Sequence, residues 1–203
     1  MLILKIIKVI LVSFMKWACI CLPLTILGIL ILPLVLVFVP KNVEVLPKVF
    51  RWFDNYSTHD NLFGHTRDGL SGDQPYRERR IKEGHTNLFW ERYYWLALRN
   101  PINYFSVEYL GKDKVHVREV HGNPYTSDQG ESGWVYKWGY DIDNSKLEEF
   151  YFVYAYKLFS KNLCVRARFG YKLAQWKGSI STTSGFVFTI NPVMPYRPGG
   201  FNK

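Results

Sequence analysis

The chain has 203 residues and a formal net charge of +9, with 26 Lys and Arg against 17 Asp and Glu. This length fits one ordinary domain with an N-terminal anchor and excludes two large domains. The basic residues are spread along the chain, which excludes a dedicated basic arm for nucleic acid and favours anionic lipid or an acidic partner.

The first 40 residues predict a membrane anchor. From Trp17 to Val39 every residue except Thr25 is apolar or small, and at about 1.5 Å per residue this run can cross a hydrocarbon core of about 30 Å. Pro23 and Pro33 leave two alternatives open, a bent transmembrane helix and a re-entrant hairpin that returns to the same side. A cleaved signal peptide is disfavoured, because the run is long and ends without the small residues that a signal peptidase requires.

Basic and aromatic residues on both sides of this run are typical of a membrane interface. Residues 1–15 predict an amphipathic helix at the interface, since lysines interrupt an otherwise apolar sequence. Leu46 to Phe53 forms a short collar that lies either on the membrane or in the domain core. Lysines flank both ends of the run, so the positive-inside rule leaves the side of the soluble part open. The predicted membrane-interface residues are Lys5, Lys8, Lys16, Lys48, Arg51, Trp52 and Phe53.

The segment from Asp54 to Gly84 is polar and rich in turn residues, which predicts a long ordered loop. Imidazole and carboxylate groups in this loop could hold a divalent metal that activates water for hydrolysis. However, the loop lacks the spacing of an HExxH helix or a calcium loop, and turn formation and capping explain the same residue types. We therefore predict no catalytic residue, no metal and no cofactor. The candidate polar site consists of Asp54, His59, Asp60, His65 and Asp73.

The next segment predicts one helix. Thr86 is placed to cap a helix from Asn87 to Arg99, which Asn100-Pro101 ends. Aromatic side chains cover much of its circumference, so this helix is expected to be largely buried.

From Lys114 onward the apolar residues alternate with period two. Connections between the alternating runs are short and polar, which favours an antiparallel meander. In the clearest strand, Val165 and Phe169 belong to a buried face with Leu163 and Ala167, whereas Arg166 and Arg168 are expected to be exposed. The five candidate strands cover residues 114–120, 133–140, 150–158, 163–171 and 185–190.

These elements predict an α+β fold. A transmembrane or membrane-embedded N-terminal segment is followed by a curled antiparallel β-sheet of about five strands with one packed helix. The predicted division is a membrane anchor at 1–40, then the collar, long polar loop and aromatic helix at 41–113, and an antiparallel β domain at 114–203.

Three short motifs resemble those of a known family. Leu46-Pro47 precedes Arg51-Trp52-Phe53, His59-Asp60-Asn61 precedes Gly64, and Trp95-Leu96 precedes Arg99-Asn100-Pro101. Together they resemble the collar, the DN turn and the helix end of a family of uncharacterised membrane-anchored proteins of tailed bacteriophages and prophages. The chain departs from that pattern at His65, where the turn usually carries an acid. The resemblance implies a setting at a host membrane and supplies no mechanism.

The function predicted from the sequence is that of a non-enzymatic, membrane-associated phage accessory protein that binds at the host inner membrane. Its expected partners are the lipid bilayer and another membrane or phage protein, and no nucleic acid is expected. Two alternatives remain open, a membrane-tethered metal-dependent hydrolase and a structural virion or ejection component. The oligomeric state does not follow from the sequence.

Overall fold

The structure is a computed structural model that describes residues 2–56, 69–126, 132–142, 148–157 and 163–195. The predicted α+β fold is confirmed, since an apolar N-terminal helix is followed by short helices and an antiparallel sheet. The chain forms two compact units, Met1–Trp17 with Gly111–Lys203 and, between them in sequence, Ala18–Leu110. This grouping differs from the predicted division, because it separates the anchor segment after Trp17.

One continuous helix of 37 residues, Leu2–Phe38, is long and apolar enough to cross a membrane. It consists of α1 (Leu2–Lys16), a π-helical turn (Trp17–Cys21) and α2 (Leu22–Phe38). Pro23 follows the π-helical turn at the start of α2, and the helix continues past both Pro23 and Pro33. The re-entrant hairpin alternative is therefore excluded, because the chain does not turn back within this segment.

The sheet unit contains a six-stranded antiparallel sheet with strand order β5-β1-β2-β3-β4-β6. All five predicted strands are present within a few residues of their expected ends. The additional strand, β5, was missed because its sequence of Ile, Ser and Thr lacks apolar alternation. The strands are β1 (Lys112–Gly122), β2 (Gly133–Asp141), β3 (Glu148–Lys157), β4 (Leu163–Tyr171), β5 (Ile180–Ser184) and β6 (Phe186–Pro195).

The helix that packs on this sheet is α1, which lies against β3, β4 and β6. Val9 of α1 is buried together with Tyr136 of β2 and Phe169 of β4. Ile6 and Ile10 pack against the same cluster, so one face of α1 follows the spacing expected of a helix on a core.

The faces of β4 differ in part from the prediction. Phe169 is buried as expected, Val165 and Ala167 are half-buried, and the side chain of Leu163 lies outside the described part of the structure. The prediction that Arg166 and Arg168 are exposed is wrong, since both are half-buried. β4 lies between β3 and β6, so side chains of the neighbouring strands flank those of β4, and Arg168 Nε donates to Thr189 Oγ1 of β6 at 3.2 Å.

The helical unit contains a helix where the sequence predicts a loop. Asp73 caps this helix by accepting a hydrogen bond from the Tyr76 amide at 2.9 Å. The Gln74-Pro75 pair suggested a turn, but proline in the first turn of a helix is also favourable. Besides α2, the helices of this unit are a 3₁₀ helix (Lys48–Phe53), α3 (Gln74–Lys82), α4 (Leu88–Tyr93) with its π-helical continuation (Tyr94–Arg99), and α5 (Asn103–Glu108).

The predicted aromatic helix is present as α4 and its π-helical continuation, which end before Asn100. Its cap is Asn87 rather than Thr86, because the Asn87 side chain accepts a hydrogen bond from the Trp90 amide. The helix is less buried than predicted. Trp95 is buried, but Trp90 and Tyr94 are exposed on the opposite side.

Candidate functional site

The strongest candidate site in the helical unit is the exposed apolar face of α2. The buried face of this helix carries Gly28, Leu32, Val35 and Leu36, which lie on one side at helical spacing. The opposite face exposes large apolar side chains, with 42% to 84% of each residue accessible. A continuous apolar surface of this kind marks a contact with a membrane or a partner. We call this face the α2 stripe; it consists of Ile26, Leu27, Leu30, Leu34, Val37 and Phe38.

The buried face of α2 is covered by the 3₁₀ helix, α4 and the π-helical continuation of α4. The Phe53 ring approaches Gly28 so closely that a Cβ at this position would lie 2.9 Å from a ring carbon. The Tyr93 hydroxyl donates to the backbone carbonyl of Ile29 at 3.4 Å. A small residue at 28 therefore allows the collar to pack directly on α2.

Arg92 of α4 holds the chain that follows α2. Its guanidinium donates to the backbone carbonyls of Pro40 at 3.1 Å, Lys41 at 3.0 Å and Val43 at 2.5 Å. The Glu44 carboxylate lies 3.6 Å from Nη2 of Arg92 and supplies a countercharge. Arg92 is only 2% exposed, and a charge this deeply buried is tolerated because both terminal nitrogens of its guanidinium donate to backbone carbonyls. The segment that follows α2 is thus hydrogen-bonded to α4.

The three N-terminal residues predicted at the membrane interface lie on α1 in the sheet unit. Lys5 Nζ lies 5.3 Å from the centre of the Trp138 ring, a cation–π distance. Lys16 Nζ donates to the Tyr171 hydroxyl at 2.5 Å, whereas Lys8 is exposed. Their membrane contact stays a prediction. The exposed large apolar residues of α1 are Ile3, Leu4, Ile7, Leu11, Val12, Phe14 and Met15.

The predicted collar residues point in different directions. Lys48 and Trp52 are exposed, Arg51 is half-buried, and Phe53 is buried against α2. The Trp52 ring makes an edge contact with the ring of Phe105 of α5, and the two ring centroids are 5.6 Å apart. The alternative of packing in the domain core therefore holds for Phe53, whereas membrane contact of Lys48, Arg51 and Trp52 stays a prediction.

The candidate polar site is described only at Asp54 and Asp73, because His59, Asp60 and His65 lie outside the described residues. Asp54 is fully buried, and its carboxylate accepts hydrogen bonds from the Leu46 amide at 2.8 Å and the Asn55 amide at 2.7 Å. Asp73 caps α3. Among the described residues no group of three His, Cys, Asp or Glu side chains could hold a metal ion. Both described carboxylates thus accept hydrogen bonds from backbone amides and hold the local chain conformation.

An ion pair between α3 and α4 borders an open cleft of about 480 Å³. Arg80 donates to Glu91 through Nε at 2.8 Å and Nη2 at 2.9 Å. This hydrogen bonding raises the pKa of Arg80 above its usual value. The opposite charges of Arg80 and Glu91 neutralise each other, so the cleft offers mainly aromatic and apolar surface. Its lining includes Arg80, His85, Asn87, Trp90, Tyr94 and Leu98.

Sequence reasoning did not predict the two ion pairs of α4, which join Glu91 to Arg80 and Arg92 to Glu44. A signal was present, because two adjacent charges stand in a helix otherwise dominated by aromatic rings. A charge in such surroundings is expected to be paired if the helix is buried.

The sequence as a whole matches one family model. A family of unknown function, DUF7338, is matched over residues 5–198. No curated protein and no solved structure matches the chain. The resemblance noted in the motifs implied an uncharacterised family, and the match agrees with that part of the expectation. Because the match covers nearly the full length, from the apolar helix to the last strand, the chain belongs to this family of unknown function.

Proposed function

We propose that the protein is a membrane-associated accessory protein of a phage or prophage, which acts by binding at the host inner membrane rather than by catalysing a reaction. The α2 stripe is the single observation that supports this proposal most directly. Six large apolar side chains lie on one helix face with no charged residue among them. The motifs that resemble phage membrane-anchored proteins support the setting.

The energetics favour hydrophobic insertion over electrostatic attachment. Burying apolar surface gains about 25 cal/mol per Å², which is about 1.5 to 3 kcal/mol for each fully buried large apolar side chain. A lysine near an anionic surface contributes only about 1 kcal/mol. Lys41 and Lys48, which are exposed beyond the end of α2, would therefore assist binding to anionic lipid but would not dominate it.

Flotation with vesicles of phosphatidylethanolamine and phosphatidylglycerol tests the proposal. We expect the full chain to float with the vesicles. A variant with glutamine at Leu30, Leu34 and Phe38 should bind at least about tenfold more weakly, because losing more than about 1.4 kcal/mol of insertion energy is a tenfold change.

The matched control places glutamine at three exposed isoleucines outside the stripe, Ile81, Ile180 and Ile190. This variant should float as well as the wild type. Equal loss of binding in both variants, or no flotation of the wild type, would overturn the proposal.

The phage setting requires a separate experiment. Disrupting the gene in the genome that carries it should change infection or lysogeny without changing the protein composition of purified particles. Stoichiometric amounts of the protein in particles would instead indicate a structural virion component. Stoichiometric zinc or manganese in the purified protein would indicate the hydrolase alternative.

A further inference from the structure

We infer that α2 lies along the membrane surface, with its axis parallel to the bilayer and the α2 stripe inserted among the lipids, rather than crossing the bilayer. The inference rests on the proposed membrane binding and adds the orientation of the helix. The occupant of the stripe is the bilayer itself, in a region bordered by the exposed Lys41 and Lys48 that suits anionic headgroups.

The first argument is that α2 is covered by protein along one side. Gly28, Leu32 and Leu36 are buried over two full helical turns, and Val39 beyond the helix is only 9% exposed. From Gly28 to its end at Phe38, α2 therefore has protein on one face and open surface on the other. A helix that crossed the membrane here would carry its covering elements into the hydrocarbon.

The second argument is that these covering elements are charged. Arg51 lies on the 3₁₀ helix, and Glu91 and Arg92 lie on α4. Placing a single charged side chain at the centre of a bilayer costs about 2.5 to 3.5 kcal/mol on insertion scales. The covering elements carry several such side chains. They are compatible with the aqueous side of a membrane and incompatible with its centre.

The third argument is the length of helix that lies free of such packing. In the sheet unit, the Trp17 ring stacks on Phe188 with centroids 5.1 Å apart. In the helical unit, α2 is packed from Gly28 onward, and Cys21 is also buried. Residues 18–27 span about 15 Å at about 1.5 Å per residue, half of a hydrocarbon core of about 30 Å. No stretch of the described helix is both uncovered and long enough to cross.

A helix parallel to the surface removes this conflict. The α2 stripe enters the acyl region, the buried face stays on the protein, and the charged elements behind it stay in water. The absence of charged residues within α2 has the same explanation, since its two faces meet only lipid and protein core.

Depth measurements on single-cysteine variants of the full chain test the orientation. Cys19, Cys21 and Cys164 are replaced by alanine, and a cysteine carrying a bimane fluorophore is placed at Leu27, Leu34 or Phe38. The protein is then bound to vesicles containing lipids brominated at a shallow or a deep acyl position. The three sites should give the same ratio of shallow to deep quenching, because a parallel axis keeps them at one depth.

Two control sites, Leu32 and Leu36, lie on the buried face and should be quenched far less than the stripe. A crossing helix would separate Leu27 and Phe38 by about 16 Å in depth, from about 1.5 Å per residue. A steady depth gradient would overturn the orientation and leave membrane binding intact. Flotation without quenching at any stripe site would also overturn it, whereas failure to float would overturn the proposed function as well.

Discussion

Arg92 is a single side chain that secures the segment following α2 through three backbone carbonyls. Replacing it by methionine keeps much of the side-chain volume but leaves those carbonyls without a donor. We expect Arg92→Met to lower the free energy of unfolding by about 3 kcal/mol, as for other broken networks around a buried charge. Denaturant unfolding in detergent, followed by tryptophan fluorescence, would measure the change.

Arg79→Met provides the matched control on the surface. Arg79 is exposed and lies 3.8 Å from Glu83 in a pair one helical turn apart. Exposed pairs of this type contribute about 0.5 kcal/mol or less, so this variant should unfold close to the wild type. If both methionine variants were equally stable, the hydrogen bonds of Arg92 would not contribute to stability as described.

The polar residues also show what sequence reasoning can distinguish at this scale. Asp54 and Asp73 were named from the sequence as candidate polar-site residues in a turn-rich segment. Their tasks follow only from the structure, because a buried carboxylate that accepts backbone amides and a metal-binding carboxylate have the same residue type. Asp73 could be identified as a helix cap only once α3 was known.

At the scale of elements, α1 is the part of the long helix that completes the core of the sheet unit. Val9 is 3% exposed and packs with Tyr136 and Phe169, whereas Val12 is 46% exposed. We expect Val9→Asn to lower the free energy of unfolding by about 3 kcal/mol, because it places an amide in an apolar core. Thermal unfolding followed by circular dichroism would measure this loss.

The same substitution at Val12 separates packing from helix propensity. Both variants introduce asparagine into α1, so any general weakening of the helix affects them equally. Val12→Asn should therefore unfold within about 1 kcal/mol of the wild type. Equal destabilisation at both positions would argue against packing of Val9 on the sheet.

Elements with strong periodicity were predicted well, and elements without it were missed. β4 alternates clearly between apolar and polar residues, and both of its ends were predicted correctly. α3 was missed because six of its nine residues are polar or charged, so no apolar face indicates a helix. β5 was missed because four of its five residues are hydroxyl-bearing and its pattern is weak.

For the whole molecule, we expect firm attachment to membranes. The full chain should remain in the membrane pellet through high-salt and alkaline washes and leave it only with detergent, because salt screens charge but does not weaken apolar burial. Fractionation of cells that express the protein, followed by immunoblotting of each wash, would test this expectation.

The variant with glutamine at Leu30, Leu34 and Phe38 is the informative control in the same fractionation, since these residues are exposed and their replacement leaves the buried face of α2 intact. It should be partly released by the washes. Release of the wild-type chain by salt alone would indicate that the helix is not inserted. Substitution is preferable to removing the N-terminus, because residues 2–38 contribute buried side chains to both units.

The sequence by itself determined the long apolar helix, the α+β order of elements and five of the six strands that the structure describes. Each depends on a pattern among neighbouring residues, such as an uninterrupted apolar run or alternation with period two. The tertiary structure alone decided which side of the helix is covered. Arg92 lies 52 positions from Pro40, and the ring of Phe53 meets the helix at Gly28. Burial depends on such distant contacts, so a continuous apolar run could be recognised from the sequence, whereas its division into a protein-facing side and an exposed stripe could not.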